Sequence, residues 1–133
     1  MIRGLPFRVT VFVWVVLTLT VWNALRLWTA IAWRSRLTEF ASVPGPVYIG
    51  ISGAVWVLAG LLILWTFWTP VPWRRWLIAA GALLYTLWYW LDRLLFQPAR
   101  ADWPFNAILN LLLVLHVLYT LRSDYFRREA HEQ

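Results

Sequence analysis

Long uncharged stretches alternate with short breaks marked by arginine along this chain. Segments 9–25, 44–73, 76–91 and 103–121 carry no acidic or basic charge, apart from a histidine in the last. A bilayer hydrocarbon core takes about 20 residues of helix to cross, and uncharged runs of about 18 or more read as spans. The second and fourth runs meet that length outright. The first and third are slightly short, but each is flanked by arginines whose long stems reach the interface. Membrane strands would alternate faces over about 10 residues, whereas these runs are longer and apolar on every side. The pattern predicts an all-α, integral-membrane four-helix up-down bundle. Its spans are about 8–33, 46–69, 73–96 and 103–122, within a single membrane domain of residues 1–133 that ends in a polar tail at 123–133.

Proline placement agrees. Pro6, Pro46, Pro72 and Pro104 stand at or near the start of each run. The first helical turn tolerates proline because its missing N–H would have no intrahelical partner. Asp102 is positioned to cap the fourth helix, with its carboxylate at the positive end of the helix dipole.

The breaks also carry orientation. Arg3, Arg8, Arg74, Arg75, Arg122, Arg127 and Arg128 would share one side, Arg34, Arg36 and Arg100 the other, with Arg26 and Arg93 at the membrane edge. Positive residues favour the cytoplasmic side, which puts both termini there. The basic start and apolar stretch of the first run resemble a secretory signal, with Ala30-Ile31-Ala32 as a small-residue cleavage site. Trp22, Arg26 and Trp28 interrupt that pattern, so the segment reads as a retained first span.

Composition adds constraints. Of 133 residues, 62% are hydrophobic and 14% charged, against about 25% charged in soluble domains. So much apolar surface suits lipid contact. The net charge of +6 comes with no lysine at all, and the arginines sit singly or in pairs at run ends. That placement suits headgroups and excludes a nucleic-acid partner. With no cysteine, disulfide, thiolate-metal and thiol-nucleophile chemistry are absent. Twelve tryptophans cluster near run ends, as in an interfacial aromatic belt. The alternative reading makes them an aromatic ring around a bound pigment, porphyrin or sterol.

Within lipid, small residues let helices approach one another. Gly50, Gly53, Ala54 and Gly60 line the second run, and Ala79 to Ala82 the third. The stripes read as packing inside the bundle, or as a face for a homo-oligomer or another membrane subunit.

Polar groups at membrane depth are costly and mark candidate sites. By topology many fall at one outer level: Asn23 and Arg26 on the first helix, Tyr85, Tyr89, Asp92 and Arg93 on the third, and Asn106 and Asn110 on the fourth. Tyr85, Tyr89, Asp92 and Phe96 share a helical face. The set is read as a polar pocket or ion-pair cluster open to the outside, with Arg26 the expected partner of Asp92. His116, in the fourth run, is a single candidate axial ligand for haem or a chlorophyll-type pigment. His131 is too far into the tail to complete a pair. There is no phosphate loop, no zinc-protease motif and no nucleophile elbow.

These features give the expected function: a small multi-pass protein of an inner membrane, not an enzyme, acting as a binding protein or a subunit of a larger membrane complex. The alternatives are a small oligomeric transporter or channel using the outer polar pocket, and a haem- or pigment-binding protein through His116. The expected partners are the lipid bilayer and a homo-oligomer or other membrane subunits. No metal or resident cofactor is expected otherwise.

Overall fold

The computed structural model describes residues 6–40, 43–69, 71–96 and 102–122. All regular structure among them is helical: α1 (Phe7–Ala32), α2 (Arg34–Glu39), α3 (Pro46–Trp65), α4 (Arg74–Phe96) and α5 (Trp103–Leu121). The polar tail at 123–133 lies outside the described residues.

Three helices, α1, α3 and α5, are long and apolar enough to cross a membrane. At 1.5 Å per residue even α5 reaches about 28 Å, close to the hydrocarbon thickness. The sequence pattern predicts a fourth in α4, which is longer still but not in that set. The reason is chemical. Five of its side chains, Trp76, Tyr85, Trp88, Tyr89 and Trp90, combine an aromatic body with a polar atom. It also carries Arg74, Arg75, Asp92 and Arg93.

Helix boundaries follow local chemistry. Pro46 occupies the first turn of α3, and Pro104 that of α5. The expected run to residue 69 stops earlier, at Trp65. Beyond it the backbone tightens to three-residue steps, Phe67 N to Leu64 O and Trp68 N to Trp65 O, each 3.0 Å. The Thr66 hydroxyl donates to Ile63 O at 2.6 Å. Such tightening satisfies carbonyls that an α-helix end leaves over. The segment after α1 is not an open loop. Trp33 bends the chain, with φ −112°, while Trp33 N still donates to Thr29 O and Leu37 N to Trp33 O, both 2.9 Å. The short α2 is therefore a bent continuation of α1.

The closest helix pair is α1 with α3, running antiparallel, and glycine makes it possible. Gly53 lies so near α1 that a Cβ there would meet Asn23 O at 3.0 Å and Leu27 N at 3.1 Å. At Gly60 it would collide with the Thr20 hydroxyl, and at Gly50 it would only touch Ala30 Cβ at 3.5 Å. Thr20 keeps its own hydroxyl satisfied by donating to Val16 O at 2.7 Å. The glycine stripe thus serves packing within the chain.

Helices α4 and α5 complete the core. Val9, Phe12 and Val16 of α1 pack with Ile63 and Leu64 of α3, Ile78 of α4, and Val117 and Leu121 of α5. This buried set is small, and the apolar side chains left outside are many. Trp14, Leu58, Leu83 and Leu111 are all exposed, at 62, 68, 70 and 58%. The exterior is as apolar as the interior, the arrangement expected where the solvent is lipid.

Candidate functional site

The eight outer-level residues separate into three groups. The first borders a partly open cavity of about 80 Å³ lined by all four long helices. Asn23, Tyr85 and Asn110 line one end of it, together with Trp56 and Thr86; Phe12, Ile63, Ile78 and Val117 line the other. Asn23 is 1% exposed. Its Nδ2 donates to Leu19 O at 2.8 Å, and its Oδ1 has no hydrogen-bond partner. The Tyr85 hydroxyl lies within interacting range of the Asn23 side chain.

The second group joins α1, α3 and α4 through aromatic rings. The Arg26 guanidinium sits 5.1 Å from the centre of the Trp88 ring. Arg26 is expected to pair with Asp92; what the structure shows for its guanidinium is this stacking on Trp88, a cation–π contact. The Trp88 indole N–H donates to the Tyr48 hydroxyl at 3.1 Å. Tyr48 lies beside Asp92 and feels the charge of Arg26 as well. Its ring packs on Phe96 at 5.0 Å. Trp56 meets Tyr85 edge-on at 4.8 Å and Trp88 at 5.4 Å. Asp92 is buried.

The third group is at the start of α5. Arg93 forms an ion pair with Asp102 at 2.8 Å and approaches the Tyr89 hydroxyl at 3.5 Å. Asn106 Nδ2 donates to Asp102 Oδ2 and to Asp102 O, both at 3.0 Å. Asp102 occupies the cap position but makes no side-chain cap bond, since its carboxylate is engaged by Arg93 and Asn106. Arg93 holds the Asp102 carboxyl below its ordinary value, and Asn106 adds to that. A charge-assisted bond favours the ionised form.

The single face predicted on α4 is therefore two faces. Tyr85, Trp88, Asp92 and Phe96 turn toward α3, whereas Tyr89 and Arg93 turn toward the start of α5. Sequence reasoning missed Tyr48 and Trp56 and placed Trp88 in a lipid belt. The signal for Trp88 was its spacing, three after Tyr85 and four before Asp92, which puts it on their face. Trp65, Trp68, Trp73 and Trp76 are exposed, as a belt requires.

His116 does not border the cavity. Its Nε2 is buried without a hydrogen-bond partner, and its backbone oxygen accepts from Thr120. Among the described residues no group of three or more His, Asp and Glu side chains gathers to hold a metal ion.

At the other end of the molecule, Arg74 is buried rather than displayed in a loop. It donates to Thr69 O at 3.3 Å and lies over the Phe67 ring at 5.3 Å, which closes the turn between α3 and α4. Arg8 sits over Tyr119 at 5.0 Å, tying the start of α1 to the end of α5.

Comparison with protein-family models, with curated proteins and with solved structures finds no match to this chain.

Proposed function

We propose that the chain is a multi-pass protein of an inner membrane, with α1, α3, α4 and α5 as four spans and both termini in the cytoplasm. It works there as a non-enzymatic binding protein or subunit of a membrane assembly, not as a conducting pore. A transporter needs its polar side chains to face a watered path. The observation that carries the reading is that Arg26, Arg93 and Asn106, at the outer level, are each engaged within the chain. Arg26 lies on Trp88, Trp88 bonds Tyr48, and Arg93 and Asn106 both hold Asp102. In α4 the charged groups sit toward the two ends, Arg74 and Arg75 at one and Asp92 and Arg93 at the other. That leaves an uncharged stretch between them to cross the hydrocarbon, with aromatic side chains near the interface.

Topology is tested by single cysteines at Thr69 and Ala99, the chain having none of its own. They should react with an impermeant maleimide from opposite faces, and reaction from the same face would remove the four-span arrangement. Function is tested by native mass spectrometry of gently solubilised protein beside flux measurements in proteoliposomes. A bound small molecule or co-purifying subunit is expected, and ion or solute flux above empty liposomes would overturn the non-conducting role.

A further inference from the structure

A second hollow lies between the end of α1 and the start of α3, open to the exterior. At about 400 Å³ it is larger than the cavity among the four long helices. Its floor is made of small residues. Gly50 comes so near α1 that a Cβ there would lie 3.5 Å from Ala30 Cβ, and Ala30 itself is buried. Branched aliphatic side chains stand out on either side of that floor: Ile31 of α1, and Val47 and Ile51 of α3, all exposed. One helical turn of each helix, about 5 Å, is thus an open aliphatic groove.

Arg34 closes the list of lining residues and gives the groove a direction. It stands one turn beyond Ala30 and Ile31, just past the end of α1, and it is exposed. The Thr38 hydroxyl takes its backbone oxygen. Among the described residues no hydrogen bond or ion pair engages its guanidinium. The start of α3 lies at the same rim. Its cap residue, Gly45, has no side chain to occupy the free backbone N–H groups, so the helix dipole adds to the positive potential that Arg34 sets up.

A cation at the rim and aliphatic walls beneath it are the complement of one bilayer component. A soluble anion would meet Arg34 but gain nothing from Ile31 and Ile51. A neutral hydrocarbon chain would gain nothing from Arg34. A glycerophospholipid carries a phosphate and acyl chains in that order of depth, and the guanidinium fork matches phosphate oxygens. We propose that this groove binds one outer-leaflet glycerophospholipid, with its phosphate on Arg34 and the upper part of an acyl chain among Ile31, Val47 and Ile51. The proposal deepens the reading of the chain as a membrane-embedded binding protein and rests on α1 and α3 spanning the bilayer.

The test is native mass spectrometry of the full chain in detergent, titrated with phosphatidylglycerol. Arg34→Gln should weaken the first binding step about five-fold, the weight of one partly exposed charge pair. Arg36→Gln removes the same charge from the same short helix but does not touch the groove, and should leave that step unchanged. Equal losses in the two variants would mean diffuse attraction only and would overturn the proposal. Diacylglycerol of the same chains, which lacks the phosphate, should bind about five-fold more weakly than phosphatidylglycerol, and equal binding would also overturn it. If Arg34→Gln folds poorly, this comparison on the unaltered chain still decides. Glycerol 3-phosphate, which has the phosphate without the chains, should not displace the lipid; displacement at equal concentration would remove the role of the aliphatic walls. A phosphatidylglycerol with a diazirine near the ester end of one chain should label Ile31, Val47 or Ile51. Label confined to other lipid-facing residues such as Leu83 and Leu111 would place the lipid elsewhere. Failure of these outcomes leaves the four-span, non-conducting reading standing, whereas flux in liposomes removes that role without altering the lipid titration.

Discussion

Adding one methyl group at different glycines of α3 should have opposite consequences, because each glycine meets a different part of α1. At Gly53 the nearest atoms to a new Cβ are backbone, Asn23 O at 3.0 Å and Leu27 N at 3.1 Å. Backbone within a helix cannot rotate aside, so α1 and α3 must separate. Such overpacking costs about 1–3 kcal/mol, partly offset by about 0.5–1 kcal/mol from replacing glycine in a helix. Gly53→Ala should therefore lose roughly 1–2 kcal/mol. At Gly50 the new methyl meets Ala30 Cβ at 3.5 Å, an ordinary contact, so Gly50→Ala should be neutral or stabilising by up to about 1 kcal/mol. Gly60 is the informative third case. Its obstacle is the Thr20 hydroxyl, a side chain that can be removed. Gly60→Ala should destabilise, and Thr20→Ala should recover part of the loss, giving a coupling on the order of 1 kcal/mol in a double-mutant cycle. The assay is helix content by circular dichroism through a titration of micelles with a denaturing detergent. Equal midpoints for Gly53→Ala and Gly50→Ala, or no coupling between positions 20 and 60, would refute the reasoning from close approach.

Further outcomes follow from the polar contacts. Trp88→Phe keeps a ring beneath Arg26 but removes the N–H donor to Tyr48, and should cost about 0.5–1.5 kcal/mol in the same titration. Tyr48→Phe should be non-additive with it, since each substitution removes one side of the same bond; full additivity would show that the bond adds nothing to stability. The Arg93–Asp102 pair should make stability depend on acid. The Asp102 carboxyl is held below its ordinary value of 3.8 in the folded chain. Its contribution is therefore complete above that value and fades as the pH falls through the lower, folded one. Arg93→Gln should remove this part of the acid sensitivity, and an unchanged profile would place the sensitivity elsewhere.

The helical architecture was readable because lipid-facing helices are apolar all round and because charge marks their ends. Pro46 is the first residue of α3 and Pro104 the second of α5. The end of α3 was not readable, since Thr66 and the tightened turn after Trp65 are as uncharged as the helix before them. The candidate site was half readable. Spacing and depth gather Asn23, Tyr85 and Asn110, which line one cavity, together with Arg93 and Asn106, which belong to the ion-paired group at the start of α5. Charge matches Arg26 to Asp92, whereas the contact the structure shows for Arg26 is with the Trp88 ring. Aromatic side chains serve equally as lipid anchors and as interhelix contacts, so only its spacing from Tyr85 and Asp92 separates Trp88 from Trp76 in the sequence. Tyr48 and Trp56 lay in a run that had been read only for its glycines.

The glycine-lined contact between α1 and α3 also bears on how the chain comes to be assembled. Synthesis proceeds from the N-terminus, so both halves of the tightest interface emerge before α4 and α5 exist. Two helices that fit backbone to backbone can join as soon as the second is in the bilayer, without waiting for the rest. The later helices then meet a partly formed surface instead of a loose pair. That surface carries the cavity lining from Phe12 to Asn23 and from Trp56 to Ile63, and α4 and α5 add the rest. The order of the segments along the chain thus brings out the most closely packed pair first.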